Sequence, residues 1–317
     1  MSLVQTPKPA VKDYPTASPY TSQIQATRER FLKEISSDDG WTELGEKQGV
    51  TLSKKNVEGN PVPIVRGEAV VENVDPWTFL AGVIRAQELR KQWDSRYDNG
   101  IYLQRFSQSE VVFHALTKGT RFVAAPRDIV GIQKDFAEAD GSYLVVQSTI
   151  ETDLAQELPK TTRATLNLAG WQFKPEGANT RVTYVVQVAL NGSIPSMLAN
   201  AVANETPLCV GRARDVFYKH GFAPHLKFRG EEKAGGIVYQ FENYEPDQHK
   251  YICTISTGTT PGDSIEIVYD TKKVFTSGVK VSVEGEASAV VIENDGKGAV
   301  RVESKEAGKS VTIVLTK

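Results

Sequence analysis

From residue 22 to residue 36 apolar side chains return at helical spacing. Ile24, Phe31, Leu32 and Ile35 share one face, and Arg28 lays its stem along it. The spacing predicts an amphipathic helix. Two stretches of strand character follow, Gly49–Asn56 and Val62–Val71. The second alternates imperfectly around Gly67, where a bulge is expected. Asp75-Pro76 then opens a second helix, with Asp as its cap and Pro in the first helical position, where the missing N–H costs nothing. Trp77, Leu80, Ala81 and Ile84 form its apolar stripe. Asp98-Asn99-Gly100 reads as a turn. Strands succeed one another beyond it: Ile101–Phe106, Val111–Leu116, Asp128–Lys134, Tyr143–Ile150, Thr161–Trp171 and Arg181–Leu190. Their connections are too short for parallel crossovers, so antiparallel neighbours are expected.

Asn191-Gly192 ends the last of these strands, and a helical pattern runs from Ile194-Pro195 to about Tyr218. Ile194, Leu198, Val202, Cys209, Ala213 and Val216 recur on one side of it. Pro207 is expected to kink this helix, since it removes a backbone donor and crowds the preceding turn. Gly221 supplies the stop. Periodicity alone fits a helix that covers a sheet face as ordinary core.

From Phe228 the texture changes. Alternation takes over in Ile237-Val238-Tyr239, Ile265/Ile267/Tyr269, Val279/Val281/Val283, Val300/Val302 and Val311/Ile313/Leu315, punctuated by Gly, Asp, Asn and Pro. This is the signature of a β-sandwich over residues 228–317, with Ig-like topology expected and a hinge near Phe222–Gly230.

Composition narrows the function classes. The chain has 317 residues, 40% hydrophobic and 24% charged, the balance of a folded soluble protein. No apolar run approaches the length of a membrane span. Four prolines precede Tyr20 and no signal-like apolar core does, so residues 1–21 are expected to be a disordered tail and the protein cytoplasmic. The net charge of −2 is evenly spread: residues 222–317 carry 12 basic and 14 acidic side chains, and residues 1–221 carry 25 of each. Without a basic excess, nucleic acid is not an expected partner.

Candidate chemistry is sparse. Cys209 and Cys253 are too far apart for a metal spacing and read as buried small hydrophobes. His114, His220, His225 and His249 have no Cys, Asp or Glu at ligand spacing, and no nucleophile elbow or phosphate loop is present. No catalysis, metal or cofactor is expected. Asn191-Gly-Ser and Asn204-Glu-Thr match glycosylation acceptors and are read as accidental.

A family resemblance gives the pattern a destination. Arg90-Lys91-Gln92-Trp93-Asp94 stands ahead of the central strands, Pro126-Arg127-Asp128 opens a strand, and Trp171 follows. Leu190-Asn191-Gly192-Ser193-Ile194-Pro195 then runs into Met197-Leu198-Ala199-Asn200-Ala201-Val202. With the order of elements, these residues make 22–221 resemble the START family of lipid-transfer domains. The resemblance implies an α+β helix-grip fold, a curved antiparallel sheet around a long C-terminal helix, with a lipid tunnel between them. It does not reach the β-sandwich.

The same resemblance implies function and site. The expected ligand is a sterol, phospholipid or fatty acid, carried between membranes with transient contact to their surfaces. Leu198, Val202, Cys209 and Val216 become candidate cavity lining. Sterol-binding members carry a buried acid and arginine; the matching positions here are His114 or Ala115, and Gln133. That departure puts sterol specificity of their kind in doubt. His114, Gln133 and Arg163 are candidates for headgroup contact or, equally, for satisfied structural roles, while Arg127 and Asp128 are expected to stabilise the strand opening. The matching lid loop is 134–141, with Phe136 as the candidate membrane contact and Gly192 and Gly221 as candidate hinges. Two rival functions remain: a lipid-sensing adaptor whose β-sandwich binds a protein partner, and a helix-grip enzyme.

Overall fold

A computed structural model describes residues 3, 13–15, 17–119, 125–192, 203–230 and 232–317, with Pro61 by its backbone alone. The first helix, α1, spans Thr21–Ser36. Three strands follow: β1 (Thr42–Lys47), β2 (Val50–Val57) and β3 (Asn60–Val71). A helical segment comes next: α2 (Pro76–Phe79), a π-helical turn over Leu80–Ile84, and α3 (Gln87–Trp93). Asp75 caps α2 as expected, its carboxylate accepting from the Thr78 N–H at 3.0 Å. Seven strands then run in succession: β4 (Tyr97–Arg105), β5 (Glu110–Thr117), β6 (Arg127–Ala137), β7 (Tyr143–Thr149), β8 (Thr162–Arg163), β9 (Thr165–Glu176) and β10 (Asn179–Ala189).

These ten strands form one sheet in the order β1-β2-β3-β10-β9-β7-β6-β5-β4, with β8 added in parallel to β6. Every other pairing is antiparallel, and the β3–β10 ladder joins the first strands to the last. Alternation along each strand sorts side chains onto two faces. Ile64, Leu144, Val146 and Leu168 join the core beneath α1, whose Phe31 is fully buried there. Gly170 makes that seat, since a Cβ on it would lie 2.1 Å from the Phe31 ring. Val65, Val145, Ala169 and Trp171 are packed in the cores of the other face.

The last helix of this part, α4, spans Cys209–His220. Residues 203–205 are also helical, but Pro207 separates them from α4 by a non-helical turn, a break where a kink was expected. Gly221 ends α4 at φ +75°. Three other local expectations are corrected. No bulge falls at Gly67, because the β3 pairings run through it unbroken. Asp98-Asn99-Gly100 lies inside β4, not in a turn. The strand that ends in the expected 134–141 loop continues through Ala137 and takes Phe136 with it.

The C-terminal part contains two four-stranded sheets, built from β11 (His225–Leu226), β12 (Val238–Glu245), β13 (Lys250–Ser256), β14 (Ser264–Val268), β15 (Lys280–Gly285), β16 (Val290–Asn294), β17 (Ala299–Ser304) and β18 (Ser310–Thr316). Their orders are β11-β14-β17-β16 and β12-β13-β18-β15. Inward residues of both, such as Cys253, Ile267, Val300 and Ile313, share one core, which also takes in Leu89 from α3. The connector after α4 is tied to both parts. The Ala223 N–H donates to the Gly82 carbonyl at 2.9 Å, and the Trp77 indole N–H to that of Leu226 at 2.9 Å. The bare face of Gly82 admits this contact, because a Cβ there would lie 2.8 Å from Phe222 Cβ. Among the described residues, no helix is long and apolar enough to cross a membrane.

Candidate functional site

The sheet face opposite α1, α3 and the start of α4 enclose a cavity of about 180 Å³. A single water needs roughly 10–15 Å³ of such space, so this is room for a guest and not a packing defect. Its wall is built from alternate residues of the sheet: Phe113, Ile129, Val145, Leu166, Ala169, Val186 and Val188. Trp171 and Tyr184 lie in the wall as a stacked pair with ring centres 4.0 Å apart, and Trp93 of α3 meets Trp171 edge-on at 6.0 Å. Cys209 closes the helical side. Burial pushes its thiol well above the usual range, so it stays neutral and acts as a small apolar group.

Polar and charged residues border the rest of it, among them Arg90, Asp94 and Arg96 at the α3 end and Arg212 of α4. Gln133 of β6 and Gln147 of β7 face each other across the ladder, the Gln147 amide donating to Gln133 Oε1 at 2.7 Å. Gln133 is 6% exposed, and its amide also leans on the buried Asp135 carboxyl, whose charged form it favours. His114 of β5 borders the cavity only along its strand: its ring lies on the α1 face, with Val112 and Val130, and its Nε2 is 2.9 Å from Asp128 Oδ2. Burial pushes the imidazole below its usual value, more than the Asp128 hydrogen bond raises it, so the ring is neutral near pH 7. A carboxylate only accepts, so the proton sits on Nε2 and Nδ1 is left as an acceptor. Burial alone would raise the Asp128 carboxyl, but hydrogen bonds from Arg163 and His114 outweigh it and hold the group below the usual carboxylate range. Arg127 bonds the carbonyls of Ala125, Leu190 and Asn191, pinning the start of β6 to the end of β10.

Gln133 and Cys209, named from the sequence, border one cavity, whereas the His114 ring lies behind its wall with Asp128. Arg163 does not: it stands behind the wall, its Nη2 2.8 Å from Asp128. Val216 lies in the apolar core beside the cavity, with Phe79, Phe173 and Val182. Phe136 is half-buried on the α1 side of the sheet, under the guanidinium of Arg28 at 5.2 Å. Leu198 and Val202 lie outside the described residues.

The positions matched to the sterol-type pair are His114 or Ala115, and Gln133, which make no acid–arginine pair. An acid–arginine pair is nevertheless present, built differently. Arg85, at the end of the π-helical turn, reaches β6 and bonds Asp135 at 2.5 Å, with side chains 8% and 0% exposed. Asp135 outweighs the burial that would lower the Arg85 guanidinium, and holds it charged. Neither residue stands out in the sequence, because the two are brought together only by tertiary packing. Among the described residues no cluster of three metal-ligating side chains occurs.

A sheet closed by helices over an apolar cavity defines a container. The START domain family model matches residues 21–211, and the chain belongs to that family. It is 23% identical over 187 residues to StAR-related lipid transfer protein 5 of Mus musculus, a match spanning 57% of this chain and 87% of that protein. Human StAR-related lipid transfer protein 5 has a similar structure, with a TM-score of 0.57 and 19% identity over 62% of this chain and 97% of that one. Human STARD10 gives a TM-score of 0.53 and 18% identity, over 62% and 80%. These likenesses establish the fold. The family match stops short of the C-terminal sheets.

Proposed function

We propose that this chain is a helix-grip carrier, binding a lipid in its cavity and moving it between membranes without covalent chemistry. The observation that carries the reading is the cavity in the family's own part of the chain, whose sheet wall is apolar and whose polar residues gather toward α3 and α4. Such a space favours an apolar guest over water. Burying an acyl chain gains roughly 0.8 kcal/mol per methylene, so a tail of about 14 left in water would cost on the order of 11 kcal/mol. A protein cavity that replaces the bilayer as solvent removes most of that barrier. Relatives named as lipid transfer proteins support the same reading. The Gln133–Gln147 pair supplies a polar contact that would orient a guest.

Transfer of a fluorescent phospholipid or sterol between donor and acceptor vesicles tests this directly. Wild-type protein should accelerate the exchange, and Val188→Trp, which puts an indole into the cavity, should abolish it. No acceleration by the wild type, or equal rates for the variant, would refute the carrier reading.

A further inference from the structure

The charged residues that border the cavity are unbalanced in sign. They comprise five guanidiniums, Arg85, Arg90, Arg96, Arg127 and Arg212, and two carboxylates, Asp94 and Glu205. Arg85 has its own partner in Asp135. Arg90 takes Asp94 Oδ2 at 2.9 Å, and Arg212 reaches Glu205 Oε2 at 3.4 Å. Both acids are thereby engaged. Arg96 and Arg127 are left with no carboxylate partner among the described residues. Residues 120–124 and 193–202, which adjoin this end of the cavity in sequence, contain no Asp or Glu.

The two unneutralised guanidiniums stand near each other. Arg127 is 7% exposed, and alternation along β6 puts it on the cavity face with Ile129 and Gln133. Its bonds go to main-chain carbonyls alone, which leaves its charge uncancelled. Arg96 is half-buried between α3 and β4. Burial lowers its guanidinium below the usual value, Asp94 pulls it up, and Arg127 lowers it again. The charges it senses, Asp94 and Arg127, both border the cavity, so its head lies on that side. Asp94 cannot serve it fully, because Oδ2 belongs to Arg90 and Oδ1 accepts the Arg96 backbone N–H at 3.2 Å. Like charges disfavour one another, and an anion between them relieves both. The planar fork of arginine matches a carboxylate or a phosphate.

We infer that the carrier's ligand is an acidic lipid, whose carboxylate or phosphate is taken by Arg96 and Arg127 while its tail lies along the apolar sheet wall. This rests on the carrier reading and adds to it the sign of the headgroup. Arg127, with one N–H of each nitrogen on a carbonyl, keeps further donors on Nη1 and Nη2. A zwitterionic headgroup brings its own cation toward the two guanidiniums, and a neutral one leaves them unpaired.

The full chain should be mixed with vesicles of equal parts phosphatidylcholine, diacylglycerol, phosphatidic acid and palmitic acid, separated from them, and its lipid extracted. The expected result is roughly tenfold enrichment of an acid over both phosphatidylcholine and diacylglycerol, the scale of one charge-assisted hydrogen bond. Phosphatidic acid ahead identifies a phosphate ligand, and palmitate ahead a carboxylate. Arg96→Met should remove most of the preference, and Arg96→Lys, which keeps the charge, should retain a good part of it. Val188→Trp should lose acidic and neutral lipid alike. Preference for phosphatidylcholine or diacylglycerol, a preference unchanged in Arg96→Met, equal loss in both Arg96 variants, or acid that stays on Val188→Trp while other lipid is lost would overturn the inference alone. A wild-type protein that returns without lipid would overturn it together with the carrier reading.

Discussion

Gly67 and Pro207 touch through backbone: a Cβ on Gly67 would lie 2.5 Å from the Pro207 carbonyl oxygen. The glycine sits in mid-strand β3, and the turn that leads into α4 rests on its bare face. Gly67→Ala must therefore push the turn away, and with it Cys209 in the cavity wall. Overpacking of this kind costs about 1–3 kcal/mol. A thermal melt should show a loss of several degrees, roughly 2–4 °C per kcal/mol for a domain of this size. An unchanged melting temperature would mean the contact is not close.

The Gln133–Gln147 pair gives a thermodynamic cycle. Gln133→Leu leaves the Gln147 amide with no acceptor for its 2.7 Å hydrogen bond, an expected cost of about 1–3 kcal/mol. The double variant, with both amides replaced by Leu, should recover much of that loss, because no polar group is then stranded. Denaturant unfolding of the four proteins reads the coupling, and simple additivity would show that the amides act independently.

Asp128 and Arg163 should not be equivalent. Asp128 is fully buried and takes hydrogen bonds from His114, Thr161 and Arg163, whereas the Arg163 side chain is 23% exposed. Arg163→Met leaves the fully buried Asp128 carboxylate without its cation and should cost about 3–5 kcal/mol. Asp128→Asn leaves an arginine that is partly exposed and has a route to water, and should cost clearly less. Equal losses in urea unfolding would contradict this asymmetry.

Stability should fall on acidification in two stages. Burial lowers the imidazoles of His114 and His225 in the folded state, so the unfolded chain takes up protons first. Their contribution is intact above the unfolded histidine value of about 6.5 and declines as pH drops below it. Asp128 is depressed when folded, so its contribution is present above the unfolded carboxylate value near 3.9 and is lost as pH falls through the folded one. His225 is 1% exposed, with Nε2 unpartnered among the described residues. His225→Gln should therefore flatten the upper stage in melts taken from pH 8 to pH 5. A pH profile identical to wild type would remove His225 from the account.

Much of the first part was legible because local signals and the global fold agree there. The period-3.6 stripe of α1, the Asp75-Pro76 cap and the alternation of β5 to β10 each name their element. β1 was missed because it is exposed along nearly its whole length and so has no apolar alternation to read. Asp98-Asn99-Gly100 carries turn chemistry, yet pairing with β5 holds it extended, with a bulge between Tyr97 and Asn99. Gly67 was read as a local irregularity when its cause is an approach from residue 207. Gln133 and Cys209, which border the cavity, were named through the family pattern. Arg85 and Asp135 were not, since they are 50 residues apart and meet only when the π-helical turn packs on β6. Leu89 likewise looks like a residue of its own helix, and only the assembled molecule puts it in the C-terminal core.

Native mass spectrometry of the full chain, after mixing with lipid vesicles and removing them, asks most directly whether the cavity holds a guest. The account predicts a one-to-one adduct with the mass of a lipid on the wild type, and bare protein for the folded Val188→Trp variant. A wild-type protein that emerges bare, or an adduct equally abundant on the variant, would contradict it.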